Sequence, residues 1–124
     1  MINKLSKEIY KRNVDKGFYE IEKSIGETIA LIHSEVSEAL ECDREDKYCR
    51  LTSNVLLELS NEKNNGKLKA IFELMIKDTF EDELADIMIR VMDLAGYLKI
   101  DLEGHIKAKM QYNLLRPYKH GKKY

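Results

Sequence analysis

The chain contains no tryptophan, one proline and six glycines in 124 residues. So little punctuation excludes a turn-rich β-sandwich and leaves long helices. No apolar run reaches 18 residues, so no membrane span is predicted. The opening segment, Met1 to Glu8, has charges but no apolar stretch behind them, and does not read as a secretory leader. The only cysteines, Cys42 and Cys49, lie seven apart, which is neither a zinc spacing nor a disulfide framework. They read as reduced thiols of a cytoplasmic protein. No glycine-rich Walker loop occurs, which excludes a P-loop enzyme.

What is present is a folded domain. Apolar residues make up 44% and charged residues 35% of the chain, too apolar for disorder. The length predicts one domain over residues 1–124, large enough to bury roughly two-thirds of its unfolded surface. The net charge of −1 is unevenly placed. Residues 107–124 hold six basic side chains and no acid, leaving −7 on the rest. An acidic body with a basic tail suits an anionic ligand between the two, or a tail on nucleic acid.

Helical spacing organises the chain as an all-α bundle of four to six helices. Ile2, Leu5, Ile9 and Tyr10 predict a helix over 2–13. Ile25, Ile29, Ile32, Val36, Ala39 and Leu40 predict a second over about 24–43. Val55–Leu59 reads as a short helix, 61–66 as a solvated turn, and Leu68, Ile71, Phe72 and Met75 as another short helix. Thr79 is the expected N-cap of a helix running to about Leu98, with Asp82 three residues on in an approximate capping box. Asp101 caps a last helix to about Leu115, ended by Pro117. The 80–98 helix is apolar around more than half its girth. Its neighbours are therefore expected to include another subunit, with Ile89 or Met92 in the interface.

Carboxylates at steps of three carry the chemistry. Glu35, Glu38 and Glu41 follow Glu-x-x-Glu-x-x-Glu, with Glu35 beside the apolar stripe. Glu83 and Asp86 repeat the step beside the second apolar face, and Arg90 and Asp93 continue that edge. Such acids repel at a semi-buried edge unless a cation sits among them, and hard oxygen donors suit Mg²⁺ or Mn²⁺. A di-iron site is excluded, because Ala30 and Leu102, not Glu, stand three residues before His33 and His105. Phe18, Tyr19, Tyr112 and Tyr118 read as packing aromatics before base-stacking ones.

The chain resembles the MazG-like, all-α nucleoside triphosphate pyrophosphohydrolases. The resemblance rests on Glu35-x-x-Glu38, on Glu83-Leu84-Ala85-Asp86, and on Lys109-Met110-Gln111-Tyr112-Asn113 followed by Arg116-Pro117-Tyr118. It covers most of the chain outside 44–77, a longer separation between the acidic motifs than compact members have. It implies that Glu35, Glu38, Glu83 and Asp86 bind Mg²⁺, with Glu38 also the expected catalytic residue. It implies phosphate contacts from Lys109 and Asn113, and Arg116 can grip a phosphate bidentately. The expected activity is hydrolysis of an NTP or dNTP to the monophosphate and pyrophosphate, in a homodimer or homotetramer with no membrane or nucleic-acid partner. The alternative is a non-catalytic helical interaction module whose basic tail binds nucleic acid or an acidic partner.

Overall fold

A computed structural model describes residues 1–124 and is entirely helical, with no strand. The α-helices are α1 (Ile2–Asp15), α2 (Ile25–Arg44), α3 (Ser53–Ser60), α4 (Asn65–Met75), α5 (Phe80–Tyr97) and α6 (Leu102–Leu114). A short 3₁₀ segment, Tyr118–Gly121, follows Pro117. No helix is long and apolar enough to cross a membrane.

Short polar side chains start most of these helices, each satisfying an amide that the first turn leaves unpaired. Ser24 Oγ accepts from the Glu27 N–H at 3.0 Å, Asn64 Oδ1 from Lys67 at 3.1 Å, and Asp101 Oδ1 from Gly104 at 2.9 Å. Thr79 caps α5 through the Asp82 N–H, as predicted. The reciprocal half of the capping box is displaced: Asp82 Oδ2 accepts from the Asp78 N–H at 3.0 Å, one residue before the cap. Asp78 reaches that position with φ of +60°, in the left-handed region.

The chain divides into two compact units. One comprises residues 1–23 and 91–124. Within it, Ser6 is buried and donates to the Met92 carbonyl. Tyr19 packs against Tyr10 and Tyr97 with ring centroids 4.9 and 5.1 Å away, and its hydroxyl donates to Asp93 Oδ2 at 2.7 Å. Burial and the Asp93 carboxylate push the Tyr19 phenol well above its usual range. Gly96 permits the close approach of α1 to α5. A Cβ there would lie 2.8 Å from both the Ser6 carbonyl oxygen and Tyr10 Cβ. Gly96→Ala is therefore expected to destabilise the protein, because overpacking costs about 1–3 kcal/mol and the gain in helix propensity returns only about 1. Urea unfolding checks this, and a stabilised variant would contradict the packing.

The other unit, residues 24–90, holds α2, α3, α4 and the start of α5. Its buried apolar residues are few: Ala39, Cys42, Leu59 and Ile76. The Phe80 N–H donates to the Lys47 carbonyl at 2.8 Å, and Glu81 accepts from the Cys49 N–H at 2.7 Å. These bonds tie the beginning of α5 to the segment leaving α2, which fixes the register of Glu83 opposite the acids of α2. Much of the predicted α2 stripe stays open, with Ile25, Val36 and Leu40 exposed. On α5, Met92 is only 8% exposed within the chain itself, whereas Ile89 is 43% exposed alongside Leu84 and Met88.

Candidate metal centre

Glu35 and Glu38 stand one turn apart on α2, and Glu83 faces them from the first turns of α5. One carboxylate oxygen from each lies within 4.8 Å of the other two. Glu35 and Glu83 are buried, at 7% and 6% exposure, while Glu38 is open to solvent. Glu83 Oε2 has no hydrogen-bond partner. Burial, and next the charge of Glu38, push the Glu83 carboxyl up to about 7. A buried carboxylate oxygen without a donor is costly, and a cation among the three acids would relieve both the desolvation and the repulsion. The donor set is all carboxylate oxygen, which fits Mg²⁺ or Mn²⁺ rather than a soft metal.

Asp86 is half-buried on α5 and stands outside the tight trio. Its carboxyl is raised by burial, then by Asp82 and Glu35, with Arg90 acting in the opposite direction. Arg90 Nε donates to Glu35 Oε1 at 2.6 Å, an ion pair that adjacent residue types did not disclose. It holds one Glu35 oxygen and leaves the other available. Glu41, third in the α2 series, pairs at the surface with Arg44 at 2.8 Å. Asp93 turns to Tyr19, and its Oδ1 is buried without a partner.

The predicted phosphate residues lie on or just beyond α6, in the other unit. Lys109 Nζ sits 4.9 Å from the centroid of the Tyr112 ring and the Arg116 guanidinium 5.9 Å from it, so both cations lie near one aromatic ring. Lys109 is exposed, Arg116 half-exposed, and the Asn113 amide oxygen is buried and unpaired.

Next to the carboxylates is a cavity of about 400 Å³. Glu38, Glu41, Glu45, Asp78 and Glu83 line it against one ammonium, Lys47. Cys42 also lines it: its thiol is buried, pushed up by that burial and by Glu83, and donates to the Asp78 carbonyl at 3.4 Å. A second cavity of about 370 Å³, lined by Leu51, Leu56, Phe72 and Ala85, has Asp82 at its edge. The sequence offered Asp82 only as part of a helix start. The joint place of Asp78 and Asp82 beside Glu83 comes from the turn before α5, in which Asp78 has φ of +60°.

No family model, curated protein or solved structure matches the chain.

The raised Glu83 carboxyl fixes a pH dependence for the metal-free protein. Its folded value, about 7, lies above the ordinary carboxylate value of roughly 4.3, so the folded state binds the proton more readily than the unfolded one. That contribution is complete below about pH 4.3 and is lost as the pH rises through about 7. Melting temperatures in EDTA should therefore fall across that window, and Glu83→Gln should flatten the fall. An identical slope in the variant would assign it to other groups.

Proposed function

We propose that the protein is a divalent-cation-dependent nucleotide pyrophosphohydrolase of the MazG-like kind. It would hydrolyse an NTP or dNTP between the α- and β-phosphates, releasing the monophosphate and pyrophosphate. The observation that carries this reading is the convergence of Glu35, Glu38 and Glu83 on one point, with a buried, unpartnered oxygen on Glu83. Mg²⁺ or Mn²⁺ held by Glu35, Glu38 and Glu83, with Asp86 beside them, would neutralise phosphate charge and acidify water at the site.

The chain's own residues then divide the work. Arg90 fixes the Glu35 carboxylate, so one ligand is oriented before any cation arrives. Glu38 is the exposed member of the trio, and in this reading it takes a proton from an attacking water. Lys109, Asn113 and Arg116 are the residues to which the resemblance gives the phosphate contacts, and Lys109 and Arg116 both lie beside the Tyr112 ring. The cavity of Leu51, Leu56, Phe72 and Ala85 offers an apolar slot for a base within the same unit as the acids. The open apolar side chains of α2 and α5, Val36, Leu40, Leu84 and Ile89, support a homodimer or homotetramer in which a second copy covers them. Cytoplasmic nucleotides are the substrate pool this assembly would meet.

The rival reading, an interaction module with a basic tail, draws on the exposed Met110, Leu114 and Leu115 among the lysines of the last helix. It leaves the acid trio, with its buried Glu35 and Glu83, without a purpose. Pyrophosphate release from a panel of NTPs and dNTPs, each with Mg²⁺ and with EDTA, tests the proposal. Turnover should appear with at least one nucleotide and vanish with EDTA. No release from any nucleotide would end the hydrolase reading.

A further inference from the structure

A cavity of about 490 Å³ lies where α1 meets the end of α5. Every residue that lines it belongs to the unit of residues 1–23 and 91–124, whereas the acid trio belongs to the other unit. Its volume is in the range of small-molecule sites. Tyr10, Ala95 and Ile100 give it apolar walls. At Gly96 the two helices approach so closely that no Cβ fits, which holds these walls in place.

Three polar side chains of the lining are already satisfied. Ser6 donates to the Met92 carbonyl. The Asn3 amide donates to Asp101 Oδ1 at 2.6 Å and accepts from the Glu103 N–H at 3.1 Å. Asp101 also caps α6, and its two bonds hold its carboxyl below the usual range. Two cations of the lining are not satisfied. They are Lys7, from α1, and Lys99, from the turn after α5. The lysines that form ion pairs are Lys47, Lys67, Lys69 and Lys107, so Lys7 and Lys99 have no acid partner. Lys99 also has φ of +55°, at a helix end where glycine is favoured. Its N–H reaches the Gly96 carbonyl at 3.3 Å, and the Ile100 N–H reaches that of Ala95 at 2.9 Å. Glycine would make the same turn without strain, so the turn does not account for the lysine.

Charge selects the ligand. Two ammoniums and one carboxylate line the cavity, leaving one positive charge in excess. A monoanion brings this to neutrality and a dianion overshoots it. The apolar walls call for a hydrocarbon body behind the charge.

We propose that this cavity binds a small organic monoanion, a carboxylate on an aromatic or branched hydrocarbon body. Lys7 and Lys99 meet the carboxylate, and Tyr10, Ala95 and Ile100 meet the hydrocarbon. The inference goes beyond the hydrolase reading and does not rest on it, because none of these residues belongs to the metal centre or to the expected phosphate contacts.

The probe is α-naphthoate, followed on the ¹⁵N-labelled full chain by amide chemical shifts. The amides of Lys7, Tyr10, Gly96 and Lys99 should move and saturate. Its neutral counterpart, α-naphthamide, should bind at least about threefold more weakly, and α-naphthyl phosphate, a dianion, should bind no more tightly than the carboxylate. Lys7→Ala and Lys99→Gly should each weaken α-naphthoate about three- to tenfold, between the worth of an exposed ion pair and that of a charge-assisted hydrogen bond. Both should keep the fold. Alanine is the best helix former at an exposed position, and glycine relieves the positive φ at 99. Lys7→Gln and Lys99→Gln keep most of the apolar stem and should lose as much affinity, which assigns the loss to charge.

Absence of saturable binding, or shifts confined to other residues, would overturn the proposal. So would equal affinity for the amide, tighter binding of the phosphate, or α-naphthoate affinity that ignores both lysine substitutions. Pyrophosphate release is a separate measurement. Its absence would end the hydrolase reading and leave the carboxylate site standing, and failure of α-naphthoate to bind would do the reverse.

Discussion

Glu38→Gln is expected to cut pyrophosphate release by about 10²–10³-fold, the scale on which removing one preorganised electrostatic group slows an enzyme. The same substitution should make the metal-free protein more stable, not less. Glu38 is the largest single charge raising the Glu83 carboxyl, second only to burial. Neutralising it removes a like-charge contact that the folded state otherwise carries. Mg²⁺ should raise the melting temperature of the parent, because a ligand that binds only the native state stabilises it, and the rise should shrink in the variant. Loss of activity, gain of metal-free stability and a smaller Mg²⁺ effect together mark a ligand. A residue needed only for folding would lower all three. Unchanged turnover in Glu38→Gln would remove Glu38 from the reacting groups, whatever the melting curves show.

The helices were legible because their signals are local. The stripe from Ile25 to Leu40 fixes α2, and Thr79 and Asp101 mark helix starts where cap hydrogen bonds are found. Even the short helix predicted around Val55–Leu59 appears, as α3. The Glu35, Glu38 and Glu83 cluster was legible for a related reason. A step of three beside an apolar stripe on two helices says which way the acids face, once the stripes pack.

What was hidden depends on distant partners. Nothing within a turn of Asp93 announces Tyr19, which bonds it from 74 residues away. Arg90 reads as the continuation of an acidic edge, and only the packing of α5 on α2 turns it into the partner of Glu35. Asp82 looked like half of a capping box, yet its oxygen goes to Asp78, because the backbone reverses one residue before Thr79. Burial was the weakest inference. A stripe such as Ile25, Ile29, Val36 and Leu40 says that one face seeks cover, but not that the chain itself supplies it, and these four remain exposed.

Lys109→Ala is expected to lower kcat/KM for nucleotide hydrolysis by about ten- to a hundredfold, the worth of one charge-assisted phosphate contact of roughly 1.5–3 kcal/mol. Lys109 and Asn113 are four residues apart on α6 and share a face. Lys109 is also held over the Tyr112 ring, so its ammonium is placed rather than free to wander. A placed cation contributes through geometry, and its loss appears in kcat as well as KM if the contact tightens in the transition state. Lys122 and Lys123 follow the 3₁₀ segment, are exposed, and belong to no such cluster. Removing both should change hydrolysis by less than about twofold. A tail that binds nucleic acid predicts the opposite pattern, because phosphate neutralisation is cumulative and every lysine counts about equally. The decisive comparison sets Lys109→Ala against the Lys122→Ala with Lys123→Ala double variant, in nucleotide hydrolysis and in single-stranded nucleic-acid binding at two salt concentrations. A large kcat/KM loss confined to Lys109→Ala supports the enzyme. Loss of salt-sensitive binding in proportion to the number of lysines removed, from a parent that releases no pyrophosphate, would give the tail to nucleic acid instead.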